Sequence, residues 1–232
     1  MTTDGYEGGL MNQQPGAPSA MRRVPRGARL VLATANTHKV AELRAILTRA
    51  IVGFDTRVII GLGDLGLPAP VEDGVSFEEN ALLKARGTAR ATGLPAVADD
   101  SGLVVDVFGG APGVFSARWA GSHGDDVANL DLLLAQLADV PPHHRGARFV
   151  CAAALATPSG EEYVETAEIR GSLLEVPSGT GGFGYDPIFR PLGSARSMAE
   201  LTADEKNAIS HRGQAFRALS DEIASVIARQ GA

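Results

Sequence analysis

Apolar positions along the chain keep changing rhythm, and each change predicts an element. "RLVLAT" (29–34) is a short continuous apolar run of strand type. "HKVAELRAILTRA" (38–50) has the spacing of an amphipathic helix, and "RVIIGL" (57–62) predicts a second strand, so the three outline a βαβ unit. A loop rich in Gly and Pro, "GDLGLPAPVEDGV", leads to Ser76, with Glu79 three residues later. That is the capping-box pattern for a helix running to about Thr92. "PAVAD" and "GLVVDVF" read as two strands with a Gly/Pro loop beyond them, and a helix is expected near 125–138. "RFVCAAALATPSGEEYVETAEIRGSLLE" reads as two long strands joined at Pro158, Ser159 and Gly160, a hairpin that an all-parallel sheet would not contain. Thr202 with Glu205 offers another capping box, and "AFRALSDEIASVIARQ" closes the chain as one amphipathic helix. The class is α/β with a long central mixed sheet and no internal repeat.

Composition narrows this picture. The chain has 232 residues, 44% of them hydrophobic, which is ample for a sizeable core. Its single cysteine, Cys151, lies in an apolar run, so it forms no intramolecular disulfide, suggests no cysteine-based metal site and reads as a buried thiol. A net charge of −6 argues against a generic nucleic-acid or anionic-membrane surface, and no apolar stretch approaches the length of a membrane span. Residues 1–28 are rich in Gly, Pro and Gln without periodicity and read as a disordered extension ahead of a domain spanning 29–232. Within that extension Arg22 and Arg23 suggest a twin-arginine signal, but the apolar run after them is short and has no cleavage-like pattern. Cytoplasmic residence is the expectation, and Met11 and Met21 are alternative starts.

Four polar clusters interrupt the apolar framework. The first loop, Thr34, Ala35, Asn36, Thr37, His38 and Lys39, joins a strand to a helix, where free N–H groups favour an anion. Lys39 falls in the first turn, the wrong end for a cation unless something compensates it; the bland alternative is a capped helix with Lys39 in water. Glu72 and Asp73 form the second cluster. The third is "AVADDSGL", where adjacent Asp99 and Asp100 end an apolar run. Consecutive side chains of an extended chain point to opposite faces, so the two aspartates cannot easily share one task. One is expected to serve the fold, the other to project beside Ser101 into a cleft at the strand end. The fourth cluster joins "SGTGGFGYDPIF" to "KNAISHRG": glycines that admit a flat ligand, Phe183 or Tyr185 as a ring face, and Lys206, His211 and Arg212 as donors. An acidic protein that gathers glycines, aromatics and cations in this way suits an anionic, planar ligand such as a nucleotide.

"LATANTHKVAEL", "FEENALLKA", "LPAVADDSGLVVDVFGGAPGVFSARWAG", "GTGGFGYDPIF" and "SHRGQAF", in this order, resemble the non-canonical purine nucleoside triphosphate pyrophosphatases, the inosine/xanthosine triphosphate pyrophosphatase family. The likeness runs from about residue 29 to 228. It implies an elongated two-lobed α/β fold with the site between the lobes, and a homodimer that hydrolyses ITP, dITP and XTP to monophosphate and pyrophosphate with Mg²⁺. It assigns residues 34–39 to the triphosphate loop and Glu72 and Asp100 to the metal, with Asp100 also the proton acceptor. Ser101, Phe183, Gly184, Tyr185, Asp186, Lys206, His211 and Arg212 are then substrate contacts. Commoner versions of the first loop carry glycine where Ala35 and His38 stand. Two other readings remain open at this point: a pyrophosphatase for other unusual nucleotides, and a nucleotide-binding regulatory module without turnover.

Overall fold

The computed structural model describes residues 24–34 and 36–230, with the backbone alone for Thr37 and His38. Residues 1–23 of the expected extension, and Ala35 of the first loop, lie outside the described residues. Strand β1 (Leu30–Leu32) leads into helix α1 (Thr37–Ala50), β2 (Ile59–Gly61), the single turn α2 (Leu62–Leu65) and α3 (Phe77–Thr92). Then come β3 (Ala96–Val105), α4 (Asp126–Gln136), β4 (Gly146–Ala156) and β5 (Glu162–Leu173). The chain ends with β6 (Phe189–Pro191), α5 (Ala203–Ile209), α6 (His211–Ala218) and α7 (Ser220–Arg229). All strands join one open sheet in the order β2-β1-β3-β4-β5-β6, parallel across β2, β1 and β3 and antiparallel beyond.

The period of two along each strand decides which helix covers which face. Leu30, Leu32, Val97, Cys151, Ala153 and Leu155 face α1, α6 and α7, whose Leu43, Leu47, Phe216 and Ile223 complete one buried cluster. Val31, Ala96, Ala98, Ala152, Ala154 and Ala156 face the other way, onto Ala81, Ala85 and Ala89 of α3. Alanines on both sides of that contact let α3 lie close to the sheet. A third cluster occupies the far ends of β3 and β4, where Leu103, Val105, Ala147 and Phe149 meet Leu130, Leu133 and Leu137 of α4 and Phe189 of β6. β3 and β4 thus run through both lobes, as the two-lobed reading requires. Cys151 is a buried thiol, and burial followed by the nearby Asp99 charge pushes its pKa up to about 12.

Several boundaries differ from the sequence reading. The expected strand pair at "PAVAD" and "GLVVDVF" is one ten-residue strand that runs straight through Asp99, Asp100, Ser101 and Gly102. Its register with β4 continues without a break, because the two aspartates find cations on the covering helices. The C-terminal helix is two helices, with Leu219 between them and the Ser220 hydroxyl donating back to the Arg217 carbonyl. At α3, Ser76 caps the Glu79 N–H as expected, but the Glu79 carboxylate reaches one residue further and accepts from Val75. The Thr202 and Glu205 capping box forms in full.

Candidate active site

The polar residues of β3 stand where the strand passes from the first two apolar clusters to the third. Alternation sends Asp99 to the α1 and α6 face and Asp100 to the α3 face. Each aspartate then meets a different set of partners, and the two sets differ in charge balance.

On the first face, Asp99 is fully buried. It lies 3.0 Å from Lys39 Nζ, 3.1 Å from Arg212 Nε and accepts the Ser101 hydroxyl at 2.8 Å. Arg212 Nη1 also donates to Glu42 at 2.5 Å, and Glu42 accepts from Lys206 Nζ at 2.9 Å. Lys206 Nζ in turn donates to Asp186 at 2.7 Å. Three carboxylates, Glu42, Asp99 and Asp186, therefore balance three cations, Lys39, Lys206 and Arg212. Burial opposes the charged form of Asp99, yet Lys39 and Arg212 hold its carboxyl far below the usual range. This cluster also settles the first-turn lysine: Lys39 faces Asp99, not water, while Asn36 Oδ1 caps the Lys39 N–H at 3.3 Å. Ser101 shares the face of Asp99, two residues away, and not that of Asp100.

On the second face, Asp100 and Glu72 share one cation. Lys84 Nζ is 2.7 Å from Glu72 Oε1 and 3.3 Å from Asp100 Oδ1, and Asn80 Nδ2 donates to Asp100 Oδ2 at 3.2 Å. Asn80 and Lys84 are one turn apart on α3, and Asn80 Oδ1 accepts the Gly74 N–H at 2.9 Å, which ties the Glu72 loop to the helix start. Burial raises the Asp100 pKa, Lys84 opposes the rise and Glu72 adds to it. Lys84 stays charged because Asp100, Asp99 and Glu72 together outweigh its own burial. Two carboxylates facing one ammonium leave a local surplus of negative charge.

Ser210 ends α5 and caps α6 through the Gly213 N–H, so the chain turns sharply and presents His211 and Arg212 inward. Neither belongs to a solvated helix start, since both are buried. His211 stacks on Phe149, with ring centroids 4.9 Å apart and planes 10° from parallel. Burial, then Arg212 and Lys206, lowers its pKa well below 6.5, so the imidazole is neutral. Its buried Nδ1 has no hydrogen-bond partner among the described residues. The Phe183 ring lies over Lys206 Nζ at 4.6 Å and the Arg212 guanidinium at 5.5 Å. Tyr185 joins the third apolar cluster and donates its hydroxyl to the Ser116 carbonyl at 2.9 Å, and it lines the cleft together with Phe183 and Phe149. Asp186 holds both Lys206 and the Phe183 N–H.

One cleft of about 250 Å³ gathers these groups. Thr34, Asn36 and Lys39 enter from the first loop, Glu72 and Asp100 from the acidic pair, and Ser101 from β3. Phe183, Gly184, Tyr185, Asp186, Lys206, His211 and Arg212 line the rest. Sequence reasoning missed Glu42, Asn80, Lys84 and Phe149. Glu42 follows Lys39 by three residues on α1, and Lys84 breaks the alanine stripe of α3; both spacings were available signals. The segment 109–121 contributes Val114, Ser116, Ala117 and Arg118 to the cleft, while Phe115 faces outward.

A model described as the Ham1 family matches residues 30–222. The chain is 63% identical to a dITP/XTP pyrophosphatase of Streptomyces coelicolor over 192 residues, covering 82% of this chain and 94% of that one. It is 53% identical to a dITP/XTP pyrophosphatase of Corynebacterium efficiens over 205 residues, 85% of this chain and 98% of the other. Among solved structures, a nucleoside-triphosphatase / dITP/XTP pyrophosphatase from Mycobacterium abscessus superposes with a TM-score of 0.66 at 52% identity, covering 82% of this chain and 98% of that one. A HAM1 protein from Coxiella burnetii superposes with a TM-score of 0.75 at 39% identity, covering 85% and 99%.

Proposed function

The chain belongs to the Ham1 family, and from that premise we propose that it is a Mg²⁺-dependent nucleoside-triphosphate pyrophosphohydrolase acting on dITP, XTP and ITP. Its role would be to remove deaminated purines from the nucleotide pool. The observation that carries this reading is the contrast between two neighbouring clusters, one closed and neutral around Asp99, the other negative around Glu72 and Asp100.

A neutral cluster by itself attracts a triphosphate weakly, so the counter-charge has to come from elsewhere in the cleft. Glu72 and Asp100 converge on a single point, now marked by Lys84 Nζ, and are oxygen donors suited to a hard cation. Mg²⁺ commonly takes one or two carboxylates and completes its shell with water and substrate phosphates. The residues therefore fit the ion, as a carboxylate pair and not as a full protein cage; no group of three or more candidate ligands occurs among the described residues. When bound, Mg²⁺ would draw charge from the phosphate oxygens.

The chain's own residues supply the remaining chemistry. Asp100, its basicity raised by burial, accepts a proton from water. The water oxygen bonds to the α-phosphorus, and the bond to the bridging oxygen breaks to release pyrophosphate. Lys39 and Lys206 line the cleft, their ammonium groups fixed before the reaction by Asp99 and by Glu42 and Asp186, so they would orient phosphate oxygens as hydrogen-bond donors without adding net charge. For the base, the Phe183 ring offers stacking, and the neutral His211 offers one donor and one acceptor. Arg212 is engaged by Asp99 and Glu42. Discrimination of the keto oxygen of hypoxanthine and xanthine from the adenine amino group is therefore assigned first to His211. A mismatched buried donor costs about 1–3 kcal/mol.

A homodimer and cytoplasmic residence complete the proposal. No helix of the described residues is long and apolar enough to cross a membrane. The deciding experiment is pyrophosphate release from ITP, dITP, XTP, GTP and ATP with and without Mg²⁺. Fast, Mg²⁺-dependent release from the first three alone supports the reading. Binding of dITP without release would replace it with a regulatory nucleotide-binding module.

A further inference from the structure

A second pair of adjacent acids, Asp125 and Asp126, stands at the start of α4. Asp125 does the ordinary work of an N-cap: its Oδ1 accepts the Ala128 N–H at 3.0 Å. Asp126, the first residue of the helix, makes a contact of a different kind. Its Oδ2 accepts the N–H of Gly184, 58 residues further along the chain, at 2.9 Å. Gly184 follows Phe183 directly and has a left-handed φ of +59°. The Phe183 N–H is itself held by Asp186 Oδ2 at 2.9 Å. The two peptide N–H groups that flank the Phe183 α-carbon are thus fixed from two directions, by Asp186 within the loop and by Asp126 from the helix. Asp126, Phe183 and Gly184 all line the same cleft.

We propose that Asp126 is a positioning residue that clasps the glycine-rich loop and so fixes the Phe183 ring for stacking on the nucleotide base. This rests on the purine nucleotide reading above. An acid in the first turn also favours the helix dipole, and that simpler role depends on charge alone. The clasp depends on an acceptor oxygen. Asparagine keeps the oxygen and removes the charge, so it separates the two roles. A stacking contact made alike in the bound substrate and the transition state changes KM and leaves kcat largely unaltered.

The test compares wild type, Asp126→Ala, Asp126→Asn and Asp125→Ala by amide hydrogen exchange over residues 179–186 and by turnover of dITP with Mg²⁺. In Asp126→Ala the Gly184 amide should exchange about tenfold faster, and KM should rise about three- to tenfold with kcat within about twofold of wild type. Asp126→Asn should restore both readouts. Asp125→Ala should lower the melting temperature and leave KM unchanged. An Asp126→Asn variant as impaired as Asp126→Ala, or wild-type exchange or wild-type KM in Asp126→Ala, overturns the proposal. If wild-type protein releases no pyrophosphate from dITP, the proposed activity fails, and the exchange measurement alone decides the clasp.

Discussion

Replacing Asp99 with asparagine removes the central anion of a closed cluster with little change in shape, and its cost can be worked out from the contacts. The Asp99 side chain is 0% exposed, and its neighbours are Lys39 at 3.0 Å, Arg212 at 3.1 Å and Ser101 at 2.8 Å. Removing one partner of a buried ion pair costs about 3–5 kcal/mol, because the other charge stays buried and unpaired. Two features move this case toward the lower end. Arg212 keeps Glu42 at 2.5 Å, and the Lys39 side chain, 18% exposed, can turn toward solvent. A loss of about 3 kcal/mol, at about 2–4 °C per kcal/mol for a chain of this size, lowers the melting temperature by about 6–12 °C. The pH dependence has a definite sign. The folded carboxyl is held far below its unfolded value, so its stabilisation is complete above that value, about pH 4, and is lost only as pH falls through the folded value. The gap between the two proteins should therefore be constant from about pH 5 to 8 and narrow only in stronger acid. Differential scanning calorimetry across that range is the assay. A variant that melts within about 2 °C of wild type at pH 7 would falsify the claim that Asp99 anchors the cluster.

Three further outcomes follow from the same geometry. Asp100→Asn should still bind dITP at saturating Mg²⁺, more weakly than wild type because one carboxylate of the Glu72 and Asp100 pair is gone, while pyrophosphate release at saturating dITP falls by at least about a hundredfold; a smaller loss removes Asp100 as proton acceptor. His211 is buried neutral with its pKa depressed, so its contribution to stability is full above about pH 6.5 and declines as pH falls toward the folded value. The melting temperature of His211→Phe should accordingly depend less on pH between about 5 and 6.5 than that of wild type, and an unchanged slope counts against the assignment. At Gly102 a methyl group would strike the Gly113 carbonyl oxygen and the Ser116 hydroxyl, so Gly102→Ala should lose about 1–3 kcal/mol in urea unfolding.

Local rules made most of the framework legible. The β1-α1-β2 unit, the Ser76 start and Thr92 end of α3, and the β4-β5 hairpin through Pro158, Ser159 and Gly160 all follow from apolar period, caps and turn residues. What escaped depended on residues distant in sequence. Two adjacent aspartates read as a strand end because, within that segment, nothing offsets their charge. In the fold Lys39, Arg212 and Lys84 arrive from three helices and let β3 continue. Glu42 and Lys84 likewise meet their partners, Lys206 and Arg212 for the one and Asp100 for the other, only once distant segments are brought together. The break at Leu219 had neither glycine nor proline to announce it.

The pairing of Asp99 with Asp100 shows how one backbone regularity divides labour. Because the strand is extended, two neighbours of identical chemistry emerge on opposite faces and inherit opposite electrostatic surroundings. Asp99 meets three donors, all at Oδ2, and becomes structural, while its buried Oδ1 has no hydrogen-bond partner among the described residues. Asp100 meets one ammonium that it shares with Glu72, and burial raises its pKa. Despite burial, Lys39 and Arg212 hold the first carboxyl far below the usual range, so it takes up no proton near neutrality, whereas burial raises the second and makes it the readier proton acceptor. The uninterrupted pairing of β3 with β4 makes the difference durable, since a slip of one residue would exchange the two faces and turn Ser101, Asp99 and Asp100 to the wrong partners together. The site is therefore specified by strand register as much as by the identity of its side chains.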